Sequence, residues 1–166
     1  MPTVFFTDEI LDRAKTLLKT GMTFTPKIVQ KADLMFWPEG AIAALTAKVP
    51  AIFIKPVEAD VVETDATATR WETVTRLRVI AVDRFSAPTE DVVKKRIDRC
   101  EDIADRFLSG TKLDMGGATI AGFAWFQAKP VRLIYEPAED GLVSLAQDRD
   151  LFAVAIEVIV RGEADR

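Results

Sequence analysis

Histidine is missing from this chain of 166 residues. That removes Ser-His-Asp and Cys-His chemistry, the commonest zinc ligand and the usual general base near neutral pH. Asparagine is missing too, so no N-glycosylation site exists. A single cysteine, Cys100, excludes an intramolecular disulfide and a multi-cysteine metal cage. It falls within a helical apolar pattern, which predicts a buried core thiol rather than a nucleophile. No apolar run reaches the ~20 residues that span a bilayer. The opening MPTVFFTDEILDRAK meets acidic residues early and lacks the basic start of a secretory leader. The expectation is a protein with no membrane association, made in a cytoplasm. No cofactor loop is recognisable: neither G-x-x-x-x-G-K-[ST] nor G-x-G-x-x-G occurs, and Gly116-Gly117 matches no phosphate cradle.

What is present is ordinary globular composition, 49% apolar and 29% charged, with a formal net charge of −4. That balance gives no global basic field for nucleic acid. The length fits one domain over residues 1–166, large enough to bury a core without staples.

The stretch 51–85 dominates the pattern. AIFIKPVEADVVE and TATRWETVTRLRVIAVDRF read as two long strands joined by a polar turn near Thr64–Thr67. Their inner ends, Ile52, Phe53 and Ile54 against Val79, Ile80, Ala81 and Val82, are apolar on both faces and predict a doubly covered core. The outer ends alternate, with Trp71, Thr73 and Thr75 on one side and Arg70, Glu72, Val74 and Arg76 on the other. Strands usually run about 5–6 residues, and these are twice that. A hairpin longer than its core is expected to project as an arm toward another subunit. Its candidate contact residues are Glu63, Asp65, Thr69, Trp71 and Val74, with Trp71 as the natural anchor. The acids Glu58, Asp60, Glu63 and Asp65 lack the calcium-loop spacing and read as the charged dress of an exposed edge.

Around the hairpin, Thr7 caps a first helix with Ile10, Leu11, Ala14, Leu17 and Leu18 on one face and Gly21 as its stop. Residues 21–40 are too apolar for a free linker (Phe24, Ile28, Val29, Leu34, Met35, Phe36, Trp37), and 41–48 reads as a short helix. Thr89 caps the clearest helix, whose stripe is Val93, Ile97, Cys100, Ala104, Phe107 and Leu108, ending before Gly110. Its other side carries Lys94, Lys95, Arg96 and Arg99, which with Arg76, Arg78 and Arg84 make the best case for phosphate or DNA. Intervening acids make a solvated, ion-paired face the commoner reading. A strand over 120–126 is expected to stop before Pro130, with 131–135 following separately. A last strand runs from Leu151 to Val160, apolar on both faces in its middle. The sum is an α+β domain: a mostly antiparallel sheet with a long projecting hairpin and amphipathic helices packed on one face.

TRLRVIAVDRF, TEDVVKKRIDRCEDIADRFLSG and DLFAVAIEVIVRGE, in this order after a leading amphipathic helix, resemble the tail-terminator or tail-completion proteins of tailed bacteriophages and of phage-derived particles such as gene transfer agents. The resemblance covers roughly Pro50 to Glu163 and lies in element order and texture. It implies a virion structural protein, not an enzyme, assembled in a bacterial host cytoplasm into a homo-oligomeric, commonly hexameric ring in the tail. Such a ring stops tail-tube polymerisation and joins the tube to the head–tail connector. Its implied partners are the tail-tube protein and the connector protein, and DNA passes through the lumen, which Glu58, Asp60, Glu63 and Asp65 are expected to face. Alternatives are another ring-forming subunit (tail tube, baseplate or connector), a small enzyme using Glu101 or Asp105 with Glu136, or a DNA-binding regulator using Arg76, Arg78 and Lys94–Arg99.

Overall fold

A computed structural model describes residues 7–31, 47–63, 70–84, 91–108, 123–136 and 151–165, with 62–63, 70–71, 123–126 and 163–165 described by their backbone. Helix α1 spans Thr7–Leu17, strand β1 Ile28–Lys31, β2 Ala51–Glu63, β3 Arg70–Arg84, helix α2 Val92–Leu108, β4 Phe123–Ile134 and β5 Leu151–Asp165. The five strands form one sheet in the order β1-β2-β3-β5-β4, parallel only between β1 and β2. This is the expected α+β class with a mostly antiparallel sheet.

Both helices lie on the same face. Ile10, Leu11, Ala14 and Leu18 of the α1 segment and Cys100, Ile103 and Phe107 of α2 share one core with Ile52, Ile54, Val79, Phe152, Val154 and Ile156. Helix α1 sits over β1 and β2, and α2 over β5 and β4. On the opposite face a smaller core gathers Val49, Ala51, Phe53, Ile80, Val82, Leu151, Ala153 and Ala155. Fully burying a Val, Leu, Ile or Phe side chain contributes about 1.5–3 kcal/mol, so stability concentrates in these inner rows. The doubly buried runs read from the sequence are those rows: Ile52, Phe53, Ile54, Val79 and Ile80 are 0% exposed.

Several boundaries differ from the sequence expectation. Pro130 does not split a strand; β4 runs through it with a register shift between Pro130 and Arg132. An outer strand tolerates proline because no neighbour requires its N–H there, and a bulge absorbs the kink. Residues 28–31 form a short strand, β1, parallel to the start of β2. Helix α2 is capped by Asp91, whose side chain accepts the Lys94 N–H at 3.0 Å while its carbonyl accepts the Lys95 N–H. The proposed cap Thr89, the stop Gly110, the Thr64–Thr67 turn and the readings over 34–37 and 41–46 lie outside the described residues. Val93 and Leu108, read as core, are 67% and 59% exposed, and Ile103 takes the buried place between Cys100 and Phe107.

The polar side of α2 is a clamp rather than a free face. Asp102 accepts the Thr23 N–H at 2.8 Å and its hydroxyl at 2.6 Å. The Arg99 guanidinium lies 3.9 Å from the centre of the Phe24 ring. Arg106 Nε donates to the carbonyls of Leu17 at 3.1 Å and Thr20 at 2.9 Å, placing a cation on the orphan carbonyls at the end of α1. Gly21 then turns the chain with φ of 87°, and a Cβ there would lie 2.7 Å from Arg106 Nε. Lys31 adds a tie from β1 back to α1: its ammonium donates to the carboxylates of Asp12 and Asp8, and these hydrogen bonds hold it above the ordinary lysine pKa. That contact is complete at neutral pH and is lost only as pH climbs through the raised value.

Gly21→Ala is therefore expected to lose about 1–2 kcal/mol from the left-handed backbone alone, plus the displacement of Arg106. Urea unfolding measures it, and Arg106→Ala in the same background separates the two contributions.

Candidate functional site

The registers decide what the long hairpin is. Strand β2 pairs with β3 from Ala51↔Val82 to Glu63↔Trp71. Strand β5 pairs with β3 over all of Arg70–Arg84, and β4 accompanies β5 as far as Phe123↔Ala164. The outer half is thus the end of a four-stranded sheet, with β3 sheathed on both sides, in place of a free two-stranded arm. From Glu58 outward the extension is six residues of β2, about 20 Å at 3.3 Å per residue.

Alternation sorts its side chains into two faces. On the helix-bearing face, Thr73 and Thr75 are 3% and 2% exposed, beside Val160, and the Thr73 hydroxyl donates to the Gly162 carbonyl at 3.3 Å. The other face becomes charged as soon as the inner core ends. Its first row is Lys55, Arg78, Glu157 and Arg132; the second is Glu58, Arg76, Ile159 and Lys129; the third is Asp60, Val74, Arg161 and Gln127. Arg76 reaches Glu58 at 3.4 Å, and Arg132 reaches Glu157 at 3.9 Å. Arg78, 8% exposed, stands opposite Glu157, whose side chain is 16% exposed.

Val74 and Ile159 are the two partly buried apolar positions within this field, diagonal neighbours across β3 and β5. Around them stand Glu58, Asp60, Glu72, Arg76, Lys129 and Arg161. A small apolar centre within a charged rim is the anatomy of a protein-contact surface.

The edges are closed to a different kind of contact. Pro56, Leu77, Val158 and Pro130 occupy one row, so a proline stands on each outer strand at the same level of the sheet. Each is followed by a bulged valine, Val57 and Val131, exposed by 50% and 45%. Proline removes a ladder donor and a bulge twists the edge away, and both oppose pairing with another strand.

The candidate residues of the sequence reading are distributed as follows. Glu58, Asp60 and Val74 share the charged face. Glu63 and Trp71 are cross-strand partners at the outermost described row and are described in backbone only. Asp65 and Thr69 lie outside the described residues. Ile159, Arg161, Lys129 and Gln127 complete the surface and carried no local signal; only the pairing of β5 and β4 with the hairpin brings them there.

The other candidates do not converge. Glu101 and Asp105 line a cleft of about 330 Å³ against Pro130–Leu133, whereas Glu136 pairs with Arg96. Burial, with the charge of Glu101 added, pushes the Cys100 thiol up to about 12. Among the described residues no three Cys, Asp or Glu side chains gather as metal ligands, and no helix is long and apolar enough to cross a membrane. The basic set divides: Arg76 and Arg78 belong to the charged face, Lys94 pairs with Asp98 at 2.6 Å, and Arg99 pairs with Asp83 at 2.7 Å. In comparisons with protein-family models and with curated proteins, the chain matches none.

Two outcomes follow from this geometry. Glu157→Ala, which removes a carboxylate only 16% exposed and its 3.9 Å pair with Arg132, is expected to cost about 1 kcal/mol, while Asp60→Ala stays within about 0.5 kcal/mol; denaturant titration distinguishes them. Alkylation of Cys100 at pH 8 is expected to be slower in the native protein than in denaturant by roughly a thousandfold, from thiolate population alone, as read by intact mass against time.

Proposed function

We propose that this chain is a structural subunit of a phage-like tail. In this reading it assembles as a homo-oligomeric ring, six-fold in the commonest case, at the head-proximal end of the tube. It stops tube growth there and joins the tube to the head–tail connector, and DNA passes through the lumen. The observation that carries the reading is the outer half of the sheet. Four strands continue about 20 Å past the rows that are covered on both faces; there the helix-bearing face stays buried at Thr73 and Thr75, and the other presents Val74 and Ile159 inside a charged rim. Rows covered on one face only leave the other face for a neighbour, and a ring subunit needs one patch that meets a different patch on the next subunit.

The element order of the resemblance supports the same reading, from the leading helix to the final strand. Here the part that reaches the neighbour is the end of the four-stranded sheet. Its contact is made by side chains of the charged face, because Pro56 and Pro130 with their bulges oppose strand addition at either edge. Those closed edges also favour a ring over a subunit that would extend a polymer by joining sheets edge to edge. Glu58 and Asp60 alternate with Arg76, Lys129 and Arg161 on that face. A contact in which opposite charges meet across subunits therefore fits them better than a purely acidic lumen wall.

Light scattering across a concentration series, with negative-stain images of the heaviest species and of mixtures with tail tubes, tests the assignment. A closed ring, free or seated on a tube end, is the expected result. Val74→Asp is expected to abolish it while leaving the circular dichroism spectrum and the monomer unchanged. Open stacks of ring width would transfer the assignment to a tube subunit, and a monomer that joins no tail tube would overturn it.

A further inference from the structure

Four of the five large apolar side chains exposed among the described residues belong to one pair of elements, Val93 and Leu108 on α2 and Val131 and Tyr135 on β4. Exposed apolar surface therefore concentrates along the seam between this helix and the edge strand. The two run antiparallel: Arg96 reaches Glu136, the Cys100 sulfur lies 3.9 Å from the Ile134 carbonyl, and the last turns of α2 face Pro130–Leu133. At its Leu108 end the seam opens into the cleft of about 330 Å³. Ala104, Leu108, Val131 and Leu133 line it with apolar groups, and Glu101 and Asp105 add two carboxylates one helical turn apart. Both acids are exposed, and neither has an ion pair or hydrogen bond among the described residues. The one cation of the lining, Arg132, lies 3.9 Å from Glu157.

The charged face of the outer sheet is the complement of that cleft. Val74 and Ile159 form its apolar centre, and Lys129 and Arg161 stand on the β5–β4 side of them. Lys129 pairs with Ile159 and Gln127 with Arg161, so the two cations are diagonal neighbours, about 7–8 Å apart. Glu101 and Asp105, at i and i+4, stand about 5–6 Å apart, and the long stems of lysine and arginine take up the difference. Both cations are exposed and have no ion pair among the described residues, whereas Arg76 and Glu58 already satisfy each other. An apolar centre beside two unpaired cations thus faces, in charge and spacing, an apolar cleft beside two unpaired carboxylates. Helix α2 lies on one face of the sheet and these cations on the other, so no subunit can join its own two patches.

We propose that the α2–β4 cleft receives the charged face of a second copy of this chain, with Val74 and Ile159 set against Leu108 and Val131, Lys129 paired to Glu101, and Arg161 paired to Asp105. The contact rests on the reading of the chain as a ring subunit and names the second of the two unlike patches that such a subunit needs. It joins face to groove, because the bulge at Val131 opposes strand pairing along the β4 edge. The apolar centre carries the affinity, and the two ion pairs fix register and exclude wrong partners. Glu101 and Asp105, which the sequence offered as catalytic carboxylates, serve recognition instead, while Glu136 stays with Arg96 at the other end of the seam.

Sedimentation velocity of the full chain across a concentration series tests the contact. Asp105→Lys and Arg161→Glu are each expected to weaken self-association about tenfold or more, from like charges brought together. The two combined are expected to restore it to within about threefold, and Glu101→Lys with Lys129→Glu gives an independent reversal. Leu108→Asp is expected to abolish association, and Glu9→Lys, the same charge change on α1, to leave it unchanged. All of these positions are exposed, so the circular dichroism spectrum is expected to stay that of the unaltered chain. A ring that forms undiminished in Asp105→Lys, or combined variants no better than the single ones, would overturn this contact and leave the ring reading standing. Open stacks with the same loss and rescue would support the contact and overturn the ring. A chain monomeric at every concentration would overturn the contact, and its seating on tail tubes would then decide the ring reading by itself.

Discussion

The pairing of β5 with β3 is the constraint on which the rest of the structure depends. It runs without a register shift through fifteen residues, from Arg70↔Asp165 to Arg84↔Leu151. Because β3 is also paired to β2, the last strand of the chain closes the second edge of the hairpin and supplies its own free edge to β4. From Trp71 to Val82 each residue of β3 thus has ladder partners on both sides, and the outer rows continue without exposing a central strand's backbone donors and acceptors. The same pairing sets which residues of β5 and β4 stand beside the hairpin, and so it composes both the inner cores and the charged face.

Two kinds of packing operate along those strands. In the inner rows both faces are apolar, and side chains such as Phe53, Ile80, Val154 and Ile156 lose all contact with solvent. In the outer rows one face keeps small and β-branched groups, with Thr73 and Thr75 buried beside Val160. The other face passes to ion-paired charge. The change falls at the row of Pro56, Leu77, Val158 and Pro130, where both outer strands bulge. The edges and the face are managed by different residues, and this lets the face carry the partly buried Val74 and Ile159 without inviting strand addition.

Helix α2 joins the two halves of the molecule's chemistry. Its apolar stripe, Cys100, Ile103, Ala104 and Phe107, lies in or against the main core. Arg99, Asp102 and Arg106 hold the connection between α1 and β1, and Glu101 with Asp105 lines the cleft against β4. A charged helix face that would be solvated in isolation is mostly consumed in tertiary contacts. The spacing of opposite charges three and four apart does account for Lys94 with Asp98. It could not anticipate that Arg96 would be taken by Glu136 or Arg99 by Asp83, because those partners arrive from other elements.

Local periodicity by itself determined helices α1 and α2, the two long strands β2 and β3, the doubly buried runs at 52–54 and 79–82 and the turn residue Gly21, four residues beyond the end of α1, since each depends on neighbours within a few residues. It also placed Thr73 and Thr75 on one side and Val74 and Arg76 on the other, because strand parity is a property of the chain. Which side is buried was not legible: the threonine side is covered and the valine side stands among charges, a choice made by where α1, α2 and β5 pack. Tertiary structure alone decided that β4 runs through Pro130, that the hairpin is the middle of a sheet rather than a lone arm, and that Ile159 meets Val74. The physical reason is range. Pairings that reach from 21 residues along the sequence (Ile134↔Ala155) to 95 (Arg70↔Asp165) are selected by the burial of whole faces, and no local pattern carries that information.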